Sequence, residues 1–209
     1  MLEYVEMARD ELDTCALLAA EAFYDYEYFT PYVPNDRQRR RFLDAMIRCE
    51  FKANWGRPGV LFLTARDNGR IVAVAKLCTP DFTTPPDIDY IKAGWLGVLI
   101  KGGIKQVNAW NDMDKKASAP CSGLPRNNWY LSLFTVSKAD KRKGIGSKFL
   151  SECLIPYART AGGETFSLFT NSEANCRFYE KNGFSLFDER SFEHKGKVLG
   201  SWSYKMELT

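Results

Sequence analysis

The sequence contains a single histidine, His194, and its six cysteines (Cys15, Cys49, Cys78, Cys121, Cys153, Cys176) form no C-x-x-C pair. Structural zinc needs Cys and His ligands at such short spacings, so no metal is expected. Long apolar runs are also missing: Lys, Asp or Gly interrupts every window before ~18 residues, which excludes a membrane-spanning helix from the expectation. Charge of one sign is not in excess. With 29 basic against 26 acidic residues and a net charge of +3, the chain lacks the one-sided basic surplus of a nucleic-acid-binding protein. Neither nucleic acid nor a membrane is therefore an expected partner. No repeat or low-complexity tract is present. No apolar leader with a small-residue cleavage site opens the chain, so the thiols are expected to stay reduced in a cytoplasmic protein, most of them in the core.

What is present reads as globular. The 209 residues, 45% hydrophobic and 26% charged, suit one domain spanning 1–209 with a sizeable core. Met1 to Met7 alternates like a strand, and Asp10 precedes "ELDTCALLAAEAF", where Leu12, Cys15, Leu18, Ala19 and Phe23 keep helical spacing. The aromatic, proline-broken "YDYEYFTPYVPND" reads as a loop. Asn35 or Asp36 would cap a second helix with Phe42, Met46, Ile47 and Phe51 inward. The basic first turn of that helix opposes its dipole, and the arginines are expected on a solvated face, with anion contacts as the alternative. "VLFLTARDNGRIVAVAKLCTP" is a hairpin turned by Asp67-Asn68-Gly69.

A segment of about 81–127 then separates two strands and is expected as an inserted helical and loop segment, a candidate substrate lid. Ile91, Trp95, Leu99 and Trp110 recur at helical intervals, while "KKASAPCSGLPRN" reads as a flexible link. The strand "WYLSLFTV", a helix from Gly144 to about Thr160, the strand "TFSLFT", a helix from about Ser172 to Asn182 and strands near "FSLFDERSF" and "KVLGSWSYKMEL" complete a mixed α/β order.

The chemistry concentrates in "LSLFTVSKADKRKGIGSKFL". A strand feeds a basic turn with two glycines, and a helix begins. Backbone N–H groups at such a helix start form an anion site, and glycine lets the backbone approach closely. Lys138, Lys141, Arg142 and Lys143 add local positive charge. The expected ligand is a phosphate, yet neither the Walker A nor the dinucleotide fingerprint fits the spacing.

Lys141 to Gly146 resembles the pyrophosphate loop of the GNAT superfamily of N-acetyltransferases, [Q/R]-x-x-G-x-[G/A], with Lys141 in place of Gln or Arg. One helix and one strand later, "TNSEANCRFYEKNGFSLF" is similar to the family's F-Y-E-K-x-G-F segment. The aromatic segment, "VAVAKLCTP" and the motif strand with its helix look more narrowly like the branch that holds the puromycin N-acetyltransferases. The resemblance implies a central, mostly antiparallel sheet with a splayed parallel strand pair, flanked by helices. It implies acetyl-CoA as cosubstrate, with pyrophosphate on the loop of Lys141, Arg142, Lys143 and Gly144 and the helix start of Ile145, Gly146 and Ser147. A backbone N–H near Phe134, Thr135 and Val136 would meet the oxyanion, Asn175 or Asn171 the pantetheine arm, and Tyr179 would protonate the departing thiolate. The plainer alternatives are that Tyr179 packs beneath the sheet and that Asn171 merely starts a helix.

Some family members carry a glutamate early on the motif strand, where this chain has Tyr130. An alkylammonium must still lose a proton before it attacks. Asp25, Glu27, His194 at a hairpin tip, or a water chain are the alternatives left open. The expected activity is acetyl transfer to a primary amine of a small molecule in a ternary complex. A peptide or protein amine, or a catalytically silent acyl-CoA sensor, are the other readings, and a homodimer is the assembly allowed for.

Overall fold

The structure, a computed structural model, describes residues 1–125 and 127–208. Strand β1 (Leu2–Glu6) leads through a 3₁₀ turn into α1 (Leu12–Ala22). The orphan amide at that entry, Ala8 N–H, is taken by the Glu11 carboxylate at 2.9 Å. Helix α2 (Asp36–Asn54) is capped by Asn35, whose Oδ1 accepts from the Gln38 amide at 2.9 Å. Phe42, Met46, Ile47 and Phe51 are buried along it, as their spacing predicts. Strands β2 (Val60–Asp67) and β3 (Arg70–Cys78) form the hairpin, turned by Asn68 and Gly69 at φ 50° and 77°. Two consecutive positive φ values define the tight turn that suits strand twist, which is why Asn-Gly stands there.

Between β3 and β4 lie α3 (Asp87–Ala93), α4 (Trp95–Gly102) and α5 (Ile104–Ser122). The stretch expected as a flexible link is in fact helical up to Ser122. Burial decides this: Val107, Trp110, Met113, Ala117 and Cys121 lie on one inward stripe of α5, and tertiary contact overrides the breaker signals. Pro120 inside this helix cannot bond the Lys116 carbonyl. The Arg190 guanidinium donates to that carbonyl instead, at 3.2 Å.

The remaining elements are β4 (Asn128–Val136), α6 (Ile145–Phe149), α7 (Ile155–Thr160), β5 (Thr165–Thr170), α8 (Glu173–Lys181), β6 (Ser185–His194) and β7 (Lys197–Glu207). A π turn over Leu150–Leu154 joins α6 to α7 without a break, the Ile155 amide donating to the Leu150 carbonyl. Among the described residues seven strands form one sheet in the order β1-β2-β3-β4-β5-β7-β6. Every neighbouring pair is antiparallel except β4 with β5. This is the mixed α/β sheet with one parallel pair expected from sequence.

Alternation along the strands builds two cores. Phe62, Val74 and Leu133 join the face covered by α1, α2, α4 and α5. Leu63, Ala73, Ala75 and Leu131 join the opposite face, under α6, α7 and α8. A fully buried Phe or Leu contributes ~1.5–3 kcal/mol, and Phe42, Phe51, Phe149 and Phe166 are all of that kind. The six cysteines are unpaired thiols, four of them buried. No helix among the described residues is long and apolar enough to cross a membrane.

Candidate active site

The site begins where the sheet parts. Strands β4 and β5 pair only through Asn128↔Thr165, Trp129↔Phe166 and Tyr130↔Ser167, although β4 continues to Val136. On the other edge, β3 pairs Lys76 with Leu133 and Leu77 with Leu131, so Ser132 is an extra residue in β4. Such a bulge bends its strand and increases local twist, which drives β4 away from β5. The Ser137 amide donates to the Val72 carbonyl at 2.8 Å. Strand alternation then turns the amides of Val136 and Phe134 toward the open edge, and that of Thr135 toward β3.

The basic loop lies just beyond this edge. Gly144 is left-handed at φ 78°, a Cβ built there would meet open space, and Arg142 is also left-handed at φ 65°. Lys141, Arg142, Lys143 and Gly144 are exposed, while Ile145 anchors the helix start in the core. A Cβ on Gly146 would come within 3.2 Å of the Phe178 ring, so this glycine lets the helix start rest on α8. Ser147 follows, half-buried. Exposed amides, a positive rim and an open left-handed glycine fit a pyrophosphate.

Asp140 shapes the loop from beneath. Its buried carboxylate receives Arg70 at 2.8 and 3.1 Å and Lys143 at 2.8 Å, and these hydrogen bonds hold it well below the usual carboxylate range. Replacing it, as in Asp140→Asn, is expected to raise the KM for acetyl-CoA several-fold with kcat little changed; steady-state kinetics at fixed amine checks this. Lys138 leaves the loop in the other direction, donating to Asp25 at 2.7 Å.

Tyr179 is buried on α8, with Phe178, Phe184 and Tyr204 around it at ring-centroid separations of 5.1, 5.7 and 6.2 Å. Burial raises its phenol above the ordinary range, with Tyr26 and Cys176 adding to the effect. Its hydroxyl has no protein partner among the described residues, and the residue lines a cavity of about 300 Å³. The two asparagines behave differently. The Asn171 side chain is buried and donates to the Gly200 carbonyl at 2.7 Å, leaving its Oδ1 without a partner. Asn175 is half-buried and donates to Thr170 Oγ1 at 3.0 Å, so its carbonyl oxygen stays free. Tyr26 joins this corner: its hydroxyl accepts from the Asn171 amide at 2.9 Å and shares a hydrogen bond with Thr170 Oγ1 at 2.9 Å.

The cavity draws on both faces of the sheet at the splay. Aromatic walls come from Phe23, Tyr26, Phe29, Trp110 and Phe169, and charged groups from Glu50, Lys76 and Asp114. Lys76, almost fully buried, pairs with Glu50 at 2.5 Å, and Glu50 also accepts from Asn54 and Tyr90 at 3.0 and 3.2 Å. The Tyr28 hydroxyl donates to Asp114. None of these charged residues stands out in sequence: Glu50 and Asp114 look like ordinary helix-surface acids, and only the topology aims them inward.

The carboxylates named from sequence lie elsewhere. Asp25 is exposed and held by Lys138, whose hydrogen bond lowers its pKa, and Glu27 is exposed. Neither lines the cavity. His194 ends β6 at the hairpin tip as expected, but its ring lies 4.5 Å from that of Tyr32, and burial lowers its pKa. The arginines expected on a solvated face divide. Arg39 is buried and donates to the carbonyls of Tyr24, Val33 and Pro34 at 2.8, 3.0 and 3.0 Å, fastening the aromatic segment whose irregular backbone needs those partners.

A sheet parted at one parallel pair, with a phosphate-ready turn at its mouth and a phenol behind, defines an N-acyltransferase fold. The chain belongs to the acetyltransferase (GNAT) family, whose model matches residues 20–184. Solved structures share the architecture. A histone acetyltransferase HPA2-related acetyltransferase from Corynebacterium glutamicum is 20% identical, with a TM-score of 0.64, covering 97% of this chain and 94% of its own. An N-acetyltransferase from Staphylococcus aureus is 13% identical at a TM-score of 0.62 over 100% and 99% of the two chains. The Escherichia coli ribosomal-protein-S18-alanine N-acetyltransferase is 13% identical at 0.60 over 100% and 95%. At these identities the likeness speaks to the fold. No curated protein matches the chain, so the narrower likeness to puromycin N-acetyltransferases rests on its segments alone.

Proposed function

We propose that this N-acetyltransferase uses acetyl-CoA to acetylate a primary amine of a small molecule, by direct attack with both substrates bound. The observation that carries the acceptor class is the cavity. Its volume of about 300 Å³ and its aromatic lining suit a small ligand with a few placed polar groups. The inserted segment supplies part of its wall through Tyr90, Trp110 and Asp114, where a polypeptide would need an extended groove.

When bound, acetyl-CoA supplies a thioester activated toward amines. The exposed amides and cations of Lys141 to Gly146 hold its pyrophosphate, with the Ser147 amide in the first helical turn beside them. Asn175 and Asn171 both line the cavity with the side-chain nitrogen engaged and no protein donor to the carbonyl oxygen, so either can accept from a pantetheine amide, and Asn175 is the half-buried one of the two. Phe134 and Val136 offer N–H donors at the open edge, where they need no reorganisation as negative charge develops. Tyr179 keeps its proton at any working pH and can deliver it to the leaving sulfur. Holding the two substrates at the splay supplies much of the rate.

Calorimetry with acetyl-CoA tests the donor half. Wild type is expected to bind in the micromolar range. Gly144→Glu, which places a strained, negatively charged side chain at a positive-φ position, is expected to lose at least ~100-fold in affinity. A folded wild type that binds no acetyl-CoA would overturn the reading.

A further inference from the structure

We propose that Asp114, on the inserted helix α5, receives the acceptor's ammonium group and takes its proton, replacing from across the cavity the carboxylate that β4 lacks at Tyr130. The inference rests on the acetyltransferase reading above and adds the acceptor's proton path to it.

Charge balance inside the cavity is the first ground. Glu50 is neutralised by Lys76 at 2.5 Å, whereas Asp114 forms no ion pair among the described residues and has only the neutral Tyr28 hydroxyl, donated to Oδ1. Its Oδ2 therefore stays available. A buried ionised carboxylate is costly unless paired, and a cationic centre entering the cavity supplies the missing partner. Position is the second ground. Asp114 comes from the inserted helix α5 and lines the same cavity as Tyr130, the last β4 residue paired to β5, and as Phe134 and Tyr179, so it shares the space in which the splayed strand and the phenol meet. The third ground is chemical class. With one unneutralised carboxyl among aromatic walls, the cavity matches a single cation on an apolar body, such as an arylalkylamine, whereas a polyamine would bury a second charge without a partner.

The proton count closes. The ammonium gives one proton to Asp114 Oδ2, and the freed nitrogen forms its bond to the acetyl carbon as the carbon–sulfur bond breaks. Sulfur leaves with the bonding pair and takes the Tyr179 proton, and the nitrogen's surplus proton restores that hydroxyl through water. The amide, the CoA thiol and one proton, released from Asp114 to solvent, are the products.

Titration supplies the readout. Burial pushes the Asp114 carboxyl up to about 6, with Glu50 raising it further and Tyr28, Lys76 and Lys115 drawing it back; Tyr130 faces it from β4. A base must be ionised, so kcat/KM falls as pH drops through about 6. The test measures CoA release with 2-phenylethylamine and tyramine, against spermidine and a short peptide, alongside acetyl-CoA calorimetry. Asp114→Asn is expected to keep acetyl-CoA affinity while losing at least ~100-fold in kcat/KM together with the acid limb. Tyr28→Phe is expected to move that limb to higher pH, because a donor to the ionised form is lost.

Wild type that fails to bind acetyl-CoA defeats the underlying reading and this one with it. Wild type that binds acetyl-CoA yet acetylates neither arylalkylamine overturns the acceptor class. An Asp114→Asn variant within threefold of wild type, with the same acid limb, overturns the base. Should that variant not fold, an unmoved limb in Tyr28→Phe overturns it equally.

Discussion

Tyr179→Phe is expected to lower kcat by ~10²–10³ while leaving the KM for acetyl-CoA within about threefold, the pattern of a proton donor acting in the transition state. The ring would keep its packing against Phe178, Phe184 and Tyr204, so neither the fold nor the shape of the cavity should change. What disappears is one hydroxyl without a protein partner. Expelling a thiolate of pKa ~8.5 into an apolar site is costly unless a proton arrives with it. Because the phenol's pKa is raised, it contributes no alkaline limb of its own below pH ~10. Stopped-flow or steady-state CoA release measures this directly. Undiminished turnover would assign Tyr179 to packing alone, and a wild type that binds acetyl-CoA but turns over no amine would point to a sensor.

The second large effect concerns Arg39→Ala. Three backbone carbonyls, of Tyr24, Val33 and Pro34, lose their donor, the bond to Val33 being buried and the other two partly so, and an unsatisfied buried polar group costs ~1–3 kcal/mol. The pair with Asp36 adds little, since that carboxylate is 75% exposed. A total of roughly 3 kcal/mol corresponds to a fall in Tm of ~6–12 °C at ~2–4 °C per kcal/mol for a chain of this size. The same substitution should raise the KM for the amine, because the released segment carries Tyr26, Tyr28 and Phe29 of the cavity wall. Arg39→Lys should rescue little, a single ammonium being unable to serve three carbonyls spread around a planar guanidinium. Thermal unfolding and amine kinetics on both variants check this. A Tm within 2 °C of wild type would mean that aromatic packing alone holds the segment.

Arg39 also marks where the sequence stops being informative. The turn at Asn68-Gly69 and the basic glycine loop are legible because each depends on local backbone geometry that few residues permit. The inward faces of α1 and α2 are legible from periodicity. Arg39 follows the same helical wheel but reaches sideways into a loop, and composition carries no record of that. Glu50, Lys76 and Asp114 meet only because α2, β3 and α5 pack around one splayed strand pair. Their separation along the chain leaves no spacing to read. Helix α5 shows the opposite failure: Ser, Ala, Pro and Gly imply a link, and a stripe of buried side chains overrules them. The groups proposed for the acceptor side are assembled by tertiary contact, whereas those proposed for the donor side sit in contiguous motifs.

The burial of the cysteines has a practical side. Desolvation pushes Cys15 and Cys121 up to about 12, and Cys49 and Cys153 to about 11, with Cys78 and Cys176 also raised. Disulfide reagents react with the thiolate, and at neutral pH these side chains hold little of it. CoA liberated in the proposed reaction, a small thiol in free solution near pKa ~8.5, is expected to react first. Continuous colorimetric detection of product on the native enzyme is therefore expected to draw little background from the four buried cysteines, with Cys153 and Cys176, which are half-buried, as its main protein source.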